Sequence, residues 1–399
     1  MAEKPPSPNL GGGSRIYFPG FPELRGFAAI AVLLHHLELF KHQEGISSLY
    51  NLSFFTLFVQ HLGENGVSLF FCLSGFLITY LLLAEKAQNN GKVAILAFYK
   101  RRILRIWPLY YVVVLIAFVA VPLAYQSLPF LHGNEHYGGL IESLPAKIPN
   151  ALLLFVGFLP NLVLVFYGPI ATAAQAWSVG VEEQFYLFWP WVLRIANKYL
   201  ITAFFLIILL KIGSGFLLSH YNGIYSSALQ FLWALSRFEL MAIGAIAAYL
   251  VFTKVSWYVS FAGSDLTHYL TITCILVALF LGLPYLLLSL LFVLLISSLA
   301  VSGKVLIGGA VSHHLGTISY GLYMYHPLWL FISFNAAMCV FSTNSTGFQL
   351  MYYSIAVLGS LVTSHLSYQY LEKPFLRKKE RFSKVQSGED LLENAPPAA

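Results

Sequence analysis

Arg25 and His36 stand eleven residues apart in an apolar stretch, Leu24 to Phe40 (LRGFAAIAVLLHHLELF). Eleven steps are close to three helical turns, so both side chains share one face, about 16 Å apart along the axis. A cation and a general base thus lie on one stripe of a helix about as long as a bilayer crossing requires. Ionisable groups at that depth cost about 2.5–3.5 kcal/mol each to insert, so they face a polar interior and mark a reaction or transport path. His35, next along the chain, points about 100° away and reads as a packing or headgroup residue.

Three further clusters could carry chemistry. In AWSVGVEEQFYLFWPW, Glu182 and Glu183 enter an otherwise aromatic span, with Tyr186 one turn beyond Glu182. If the helix begins at Ser178 or Gly180, the carboxylates occupy its first turn and simply complement the helix dipole. The alternative is that one Glu faces a polar cavity, pairs with Arg25 or binds a sugar hydroxyl. In FYKRRILRIWPLYY, Lys100 and Arg101 read as orientation anchors. Arg102 and Arg105, three apart on one face, suit either the same role or phosphate, which Arg forks fit better than Lys does. In ISYGLYMYHPLW, Tyr320 and Tyr323 are one turn apart and His326 directly precedes Pro327. A proline inside a span frees carbonyls and can expose a histidine, although interfacial aromatics around a structural His explain the same letters.

The elements that position these residues follow from composition. Of 399 residues, 58% are hydrophobic and 10% charged, against about a quarter charged in a soluble domain. The mean hydropathy is +0.72. The apolar residues fall in runs long enough to span a bilayer, which predicts an all-α integral membrane protein. Ten spans are expected: 24–41, 66–84, 103–124, 177–196, 199–219, 235–252, 267–282, 284–301, 315–337 and 350–371. An eleventh run, Ala151 to Tyr167, holds Pro160 and Asn161 at its centre and is predicted to be broken or re-entrant. With ten spans, Lys86, Lys92, Lys100, Arg101, Arg102, Arg194, Lys198, Lys254, Lys304 and the tail from Lys373 to Lys384 share one side, so both termini are predicted to be cytoplasmic. The net charge of +6 then reflects orientation bias, not a nucleic-acid surface.

Residues 1–21 are expected to be a flexible segment without a removable signal peptide, 22–379 the membrane domain, and 380–399 a disordered cytoplasmic tail. Cys72, Cys274 and Cys339 form neither a disulfide frame nor a metal-ligand spacing, so no metal is expected. Cys72 lies in NGVSLFFCLSGFLITYLLL, where Ser74 and Gly75 allow close approach of a helix or ligand. A thiol buried there would be inert.

Together these stretches resemble the acyltransferase 3 family of multi-span O-acyltransferases, from about Phe21 to Lys379. The family's Arg, ten residues, His pattern is matched by Arg25 and His36, and FFCLSGFLIT resembles its second-span motif, with Cys72 where valine is more usual. Arg102 and Arg105 fit its Arg-x-x-Arg pattern, followed by Trp107 and Pro108. WSVGVEEQFYLFWP resembles the Trp-Ser-x-x-x-Glu signature and maps Glu182, not Glu183, onto the shared acid. ISYGLYMYHPLW and YLEKPF resemble its late Tyr-His motif and its Glu-x-Pro-Phe closure. Relatives with a fused SGNH domain continue beyond this motif, so the chain is expected to be of the stand-alone type.

The resemblance implies transfer of a short acyl group, acetyl above all, from acyl-CoA to a hydroxyl of a glycan or small molecule in the cell envelope, at the bacterial cytoplasmic membrane. His36 is then expected to act as general base, with Arg25 orienting the cofactor or stabilising negative charge. Arg102 and Arg105 would hold the cofactor with Arg25, Glu182 would join the catalytic residues and also bind substrate, and Tyr320, Tyr323 and His326 would bind the substrate. Without a readable Ser-His or Cys-His pair, direct transfer is expected rather than an acyl-enzyme. The segment from Tyr125 to Ala176 is expected to face outward as an irregular loop and to shape acceptor choice. A transporter with an Arg/His/Glu relay is the alternative, although no repeated halves are visible. A third reading is an inactive relative that senses or organises glycan machinery.

Overall fold

The structure, a computed structural model, describes residues 15–196, 199–221, 223–382 and 386–387. Lys198, residues 1–14 of the expected N-terminal segment and most of the expected tail lie outside the described residues. Among the described residues, ten helices have 15 residues or more: α1 (Phe21–Gln43), α2 (Ser53–Gln88), α3 (Ile95–Leu115), α4 (Ala176–Ile195), α5 (Leu200–Ser219), α6 (Phe238–Phe252), α7 (Asp265–Phe280), α8 (Tyr285–Ser302), α9 (Ser319–Val340) and α10 (Thr346–Ser367). The only strands among those residues are Arg15–Ile16 and Gln386–Ser387, paired in parallel.

Among the described residues, six helical stretches are long and apolar enough to cross a membrane, or seven if the bent pair Ser256–Ala262 and Asp265–Phe280 is one span. Helices α1, α4 and α9 fall outside that set although each has at least 20 residues. They carry Arg25 and His36, Glu182 and Glu183, and Tyr320, Tyr323 and His326, whose polarity lowers the mean apolarity of the segments that hold them. In contrast, α5 leaves Phe205, Leu206, Leu209, Phe216 and Leu217 exposed, as a lipid-facing helix does.

The core is built on helix crossings made close by small residues. Helix α2 packs most extensively on α6, where Gly75 meets the Met241 backbone and Gly244 meets the Cys72 carbonyl. A short helix, Ala310–Thr317, crosses the start of α1 through Gly316 against Pro22 and Gly26 against Leu315. Two helices widen into π turns, at Ile116–Ala120 and Tyr368–Glu372, before continuing as Val121–Ser127 and Lys373–Glu380. In both cases a proline follows, Pro122 or Pro374. Its missing N–H and bulky ring disfavour an ordinary α turn at that point.

The run Ala151 to Tyr167 is broken, as expected: Asn150–Val156 and Pro160–Phe166 are separate short helices. The rest of the segment expected as an irregular loop differs from that reading. Pro129–Gly133, Glu135–Glu142 and Leu144–Lys147 are also short helices. Pro129, Pro145 and Pro160 each sit in a first turn, where proline costs no hydrogen bond, so residues that read as breakers act as starters.

Candidate functional site

A cavity of about 110 Å³ opens between α1, α2, α3, α4 and α9. Arg25, Arg102, Arg105, Glu182, Tyr320 and Tyr323 all line it, with Ser74, Ser178, Tyr186 and Phe70. Six side chains singled out from the sequence thus converge from four helices. The volume falls below the roughly 300–1,000 Å³ of clefts that enclose drug-sized ligands, so the cavity takes one end of a large molecule rather than the whole.

Helix α4 begins at Ala176, not at Ser178 or Gly180, so no acid lies in its first turn. Glu182 and Glu183 therefore do not cap the helix; they sit inside it on different faces. Glu182 accepts hydrogen bonds from Ser74 Oγ and Tyr186 Oη. Glu183 instead accepts one from Trp107 Nε1 at 3.2 Å. One carboxylate thus faces three guanidinium groups across the cavity, which is net positive and suits an anionic ligand.

Arg102 lies over the rings of Phe98 and Tyr186, 5.7 and 5.5 Å from their centroids. Its Nε is buried without a hydrogen-bond partner. Its neighbour Arg101 points elsewhere, pairing with Glu85 at 2.6 Å, while Lys100 covers the Phe382 ring. Lys100 and Arg101 thus meet other parts of the chain, whereas Arg102 and Arg105, three apart on one helix face, both line the cavity. Arg25, Arg105, Ser319 and Tyr320 also line a second opening, walled by His313, Glu372 and Lys379 from Ala310–Thr317 and the π turn and helix beyond α10.

His36 is not among the lining residues of the cavity. Its ring lies 4.9 Å from that of His326, and the His326 ring lies 5.9 Å from that of Tyr323. Tyr323 is therefore the link: it lines the cavity, and its ring neighbours that of His326, which in turn lies beside His36. Its hydroxyl is fixed by Ser178 Oγ at 2.5 Å and the Gln175 carbonyl at 3.0 Å. Tyr320 Oη donates to the Ile106 carbonyl at 3.0 Å.

The two histidines have the same local arrangement. His36 Nδ1 is 2.8 Å from the Val32 carbonyl, and His326 Nδ1 is 2.7 Å from the Tyr323 carbonyl. A carbonyl oxygen only accepts, so each Nδ1 carries the proton, and in the neutral ring each Nε2 presents a lone pair. His326 is fully buried, and its Nε2 has no hydrogen-bond partner. His35 is accounted for by packing: it bonds the Val59 carbonyl at 2.8 Å and lies against Gly63.

Sequence reasoning left Ser74, Ser178, Glu372 and Lys379 out of the site. Ser74 and Gly75 are adjacent small residues, but Gly75 serves the α2–α6 crossing whereas Ser74, rotated by one residue, reaches Glu182. No local signal separates the two. Cys72 is fully buried with its Sγ 3.9 Å from the Ser289 carbonyl, consistent with an inert thiol.

Over 189 residues the chain is 30% identical to the peptidoglycan O-acetyltransferase OatA of Listeria monocytogenes, covering 47% of this chain and 26% of that protein. It is 32% identical over 187 residues to the acyltransferase MdmB of Streptomyces mycarofaciens, covering 46% of this chain and 41% of the other. With the O-acetyltransferase OatA of Staphylococcus aureus it shares 23% identity over 248 residues, 59% of this chain and 35% of the relative. The matches thus span less than half the length of each relative. No solved structure matches. The sequence profile described as "Acyltransferase domain" matches residues 23–365, most of the chain and every helix that lines the cavity, and the chain therefore belongs to the acyltransferase 3 family.

Proposed function

We propose that the protein transfers a short acyl group, acetyl in the first instance, from acyl-CoA to a hydroxyl of a cell-envelope glycan or another secreted acceptor. The observation that carries this reading is the placement of three arginines in one cavity with Tyr323, whose ring neighbours that of His326 in the His36–His326 pair. A donor with phosphates at one end and a thioester on a long arm matches that separation of charge from base. In this reading α1, α4 and α9 also cross the bilayer and join the seven apolar candidates to make ten spans. The Arg25 end then faces the cytoplasm, where acyl-CoA is supplied, and the protein sits in the cell membrane with both termini inside.

His36 Nε2 takes the proton from the acceptor hydroxyl as its oxygen attacks the thioester carbonyl. The new C–O bond forms, the C–S bond breaks, and the proton passes to the departing thiolate, so free thiol and ester leave. Arg25 holds the donor with Arg102 and Arg105. It does not stabilise the oxyanion, since about three helical turns separate it from His36. Glu182, tied to Ser74 and Tyr186, offsets part of the mutual repulsion of the arginines. Nothing in the step needs a covalent acyl-enzyme.

The test is acceptor-dependent release of free CoA by the purified protein in lipid, with a panel of acyl-CoA donors and hydroxyl acceptors. His36→Ala should lower that release by at least about a hundredfold. Unchanged release in the variant would remove His36 from the chemistry. Proton-coupled flux without thioester cleavage would instead favour a transporter.

A further inference from the structure

Three cavities adjoin one another through shared walls. The cavity of Arg25, Arg102 and Arg105 shares Arg25, Arg105, Ser319 and Tyr320 with the second opening. That opening shares His313, Thr317 and Tyr368 with an outer cavity of about 710 Å³. Only the outer one is as large as the clefts that enclose drug-sized ligands. A donor with one end among the arginines needs such a space for the rest of its length.

Two features of the outer cavity call for different ligand groups. Its wall includes Gly308, Gly309 and Ala310, where the eight-residue helix Ala310–Thr317 begins. The first N–H groups of a helix have no partner within it and favour an anion. Gly309, the residue before the helix, has no side chain to cap them, and the Ser312 hydroxyl lies against the Ile307 and Gly309 carbonyls instead, at 2.7 and 3.0 Å. A φ of +135° accounts for glycine at 309. Gly308 has no positive φ, and among the described residues a Cβ on it would meet only Val305 Cγ2, at an ordinary 3.7 Å. Packing therefore leaves its missing side chain unexplained, whereas close approach of a ligand to the backbone explains it. His313, on the same helix, also lines the cavity, and its Nε2 is buried without a hydrogen-bond partner. The second feature is Glu23, which lines the cavity at 5% exposure with Oε2 buried and unpartnered. A carboxylate repels phosphate and accepts from an amine or a hydroxyl. A nucleotide brings both the anion and such donors.

We propose that the outer cavity seats the nucleoside end of the acyl-CoA donor. The phosphate monoester on its ribose meets the Gly308–Ala310 backbone and His313, an N–H or O–H of the nucleoside meets Glu23, and the diphosphate lies further in among the arginines. The inference rests on the acyl-CoA reading above and adds to it a second anion site. A lipid headgroup would bring the same phosphate chemistry to that backbone.

The experiment compares kcat/KM, for the purified full chain in lipid with one hydroxyl acceptor, between acetyl-CoA and acetyl-dephospho-CoA, which lacks only that monoester. The wild-type protein should prefer the complete donor by at least about tenfold, because binding energy from a remote part of a substrate lowers the barrier at the reacting centre. Gly308→Val places a side chain where the phosphate sits and should draw the ratio towards one, with Gly308→Ala a smaller step in the same direction. A wild-type ratio near one overturns the seat without recourse to any variant, and is the result expected if a lipid phosphate is the occupant. A Gly308→Val protein with the full preference overturns it as well. Failure to release thiol from either donor, with any hydroxyl acceptor, would instead overturn the acyl-transfer reading itself.

Discussion

Glu182 and Glu183 are neighbours of the same chemistry, and geometry alone gives them different work. Glu182 faces the cavity, held by Ser74 and Tyr186 among three arginines, whereas Glu183 meets Trp107 outside the lining. Neutralising Glu182 leaves the guanidinium charges uncompensated in a partly buried space, a loss of about 3–5 kcal/mol where a buried pair is broken. Glu182→Gln should therefore both lower the unfolding temperature in lipid or detergent and raise the KM for the acyl donor. Glu183→Gln keeps an acceptor for the indole N–H, so its activity should stay within about twofold of wild type. Equal losses in the two variants would argue that the cavity does not distinguish them.

At the level of elements, the site depends on how closely α2 and α6 cross. Gly75 touches the Met241 backbone, and Gly244 touches the Cys72 carbonyl, so a Cβ at either position would overlap main-chain atoms that cannot swing aside. Overpacking of this kind costs about 1–3 kcal/mol. Because Ser74 precedes Gly75 and holds Glu182 across the cavity, a shift of α2 also disturbs the chemistry. Gly75→Leu should show a lower midpoint of thermal unfolding and a reduced kcat in the same preparation. A protein with lowered stability and unaltered turnover would separate the crossing from the site. The two π turns act in the same spirit: the one before Pro374 brings Glu372 to the second opening, where Arg25 and Arg105 also lie.

For the whole molecule the governing asymmetry is electrical. Lys86, Lys92, Lys100, Arg101, Lys304 and the basic helix Lys373–Glu380 are predicted to share the membrane face at the Arg25 end, as the tendency of cytoplasmic loops to collect basic residues requires. In a chain whose three native cysteines are replaced, a cysteine at exposed His136 should react with an impermeant maleimide in intact cells. A cysteine at exposed Asn90 should react only after the membrane is opened. Labelling of both from outside would reject the ten-span arrangement and with it cytoplasmic supply of the donor to Arg25.

Sequence by itself determined which segments are helical and apolar, because hydrophobic length and period are local properties that burial in lipid or protein rewards directly. It also supplied the polar residues that make α1, α4 and α9 unlike the other helices, from Arg25 to His326. The shared face of Arg102 and Arg105 followed from helical geometry alone. What only the tertiary structure decided is which of two adjacent side chains faces inward, as with Glu182 over Glu183 and Ser74 over Gly75. Each helix rotates by about 100° per residue, so the choice is set by where α4 starts and how α2 meets α6. The same holds for Arg25 and His36: one helix face carries both, but Tyr323 from α9 stands between their surroundings. Gln175, whose carbonyl fixes the Tyr323 hydroxyl, had no signal at all, since such a contact is a fact about neighbours that a sequence does not contain.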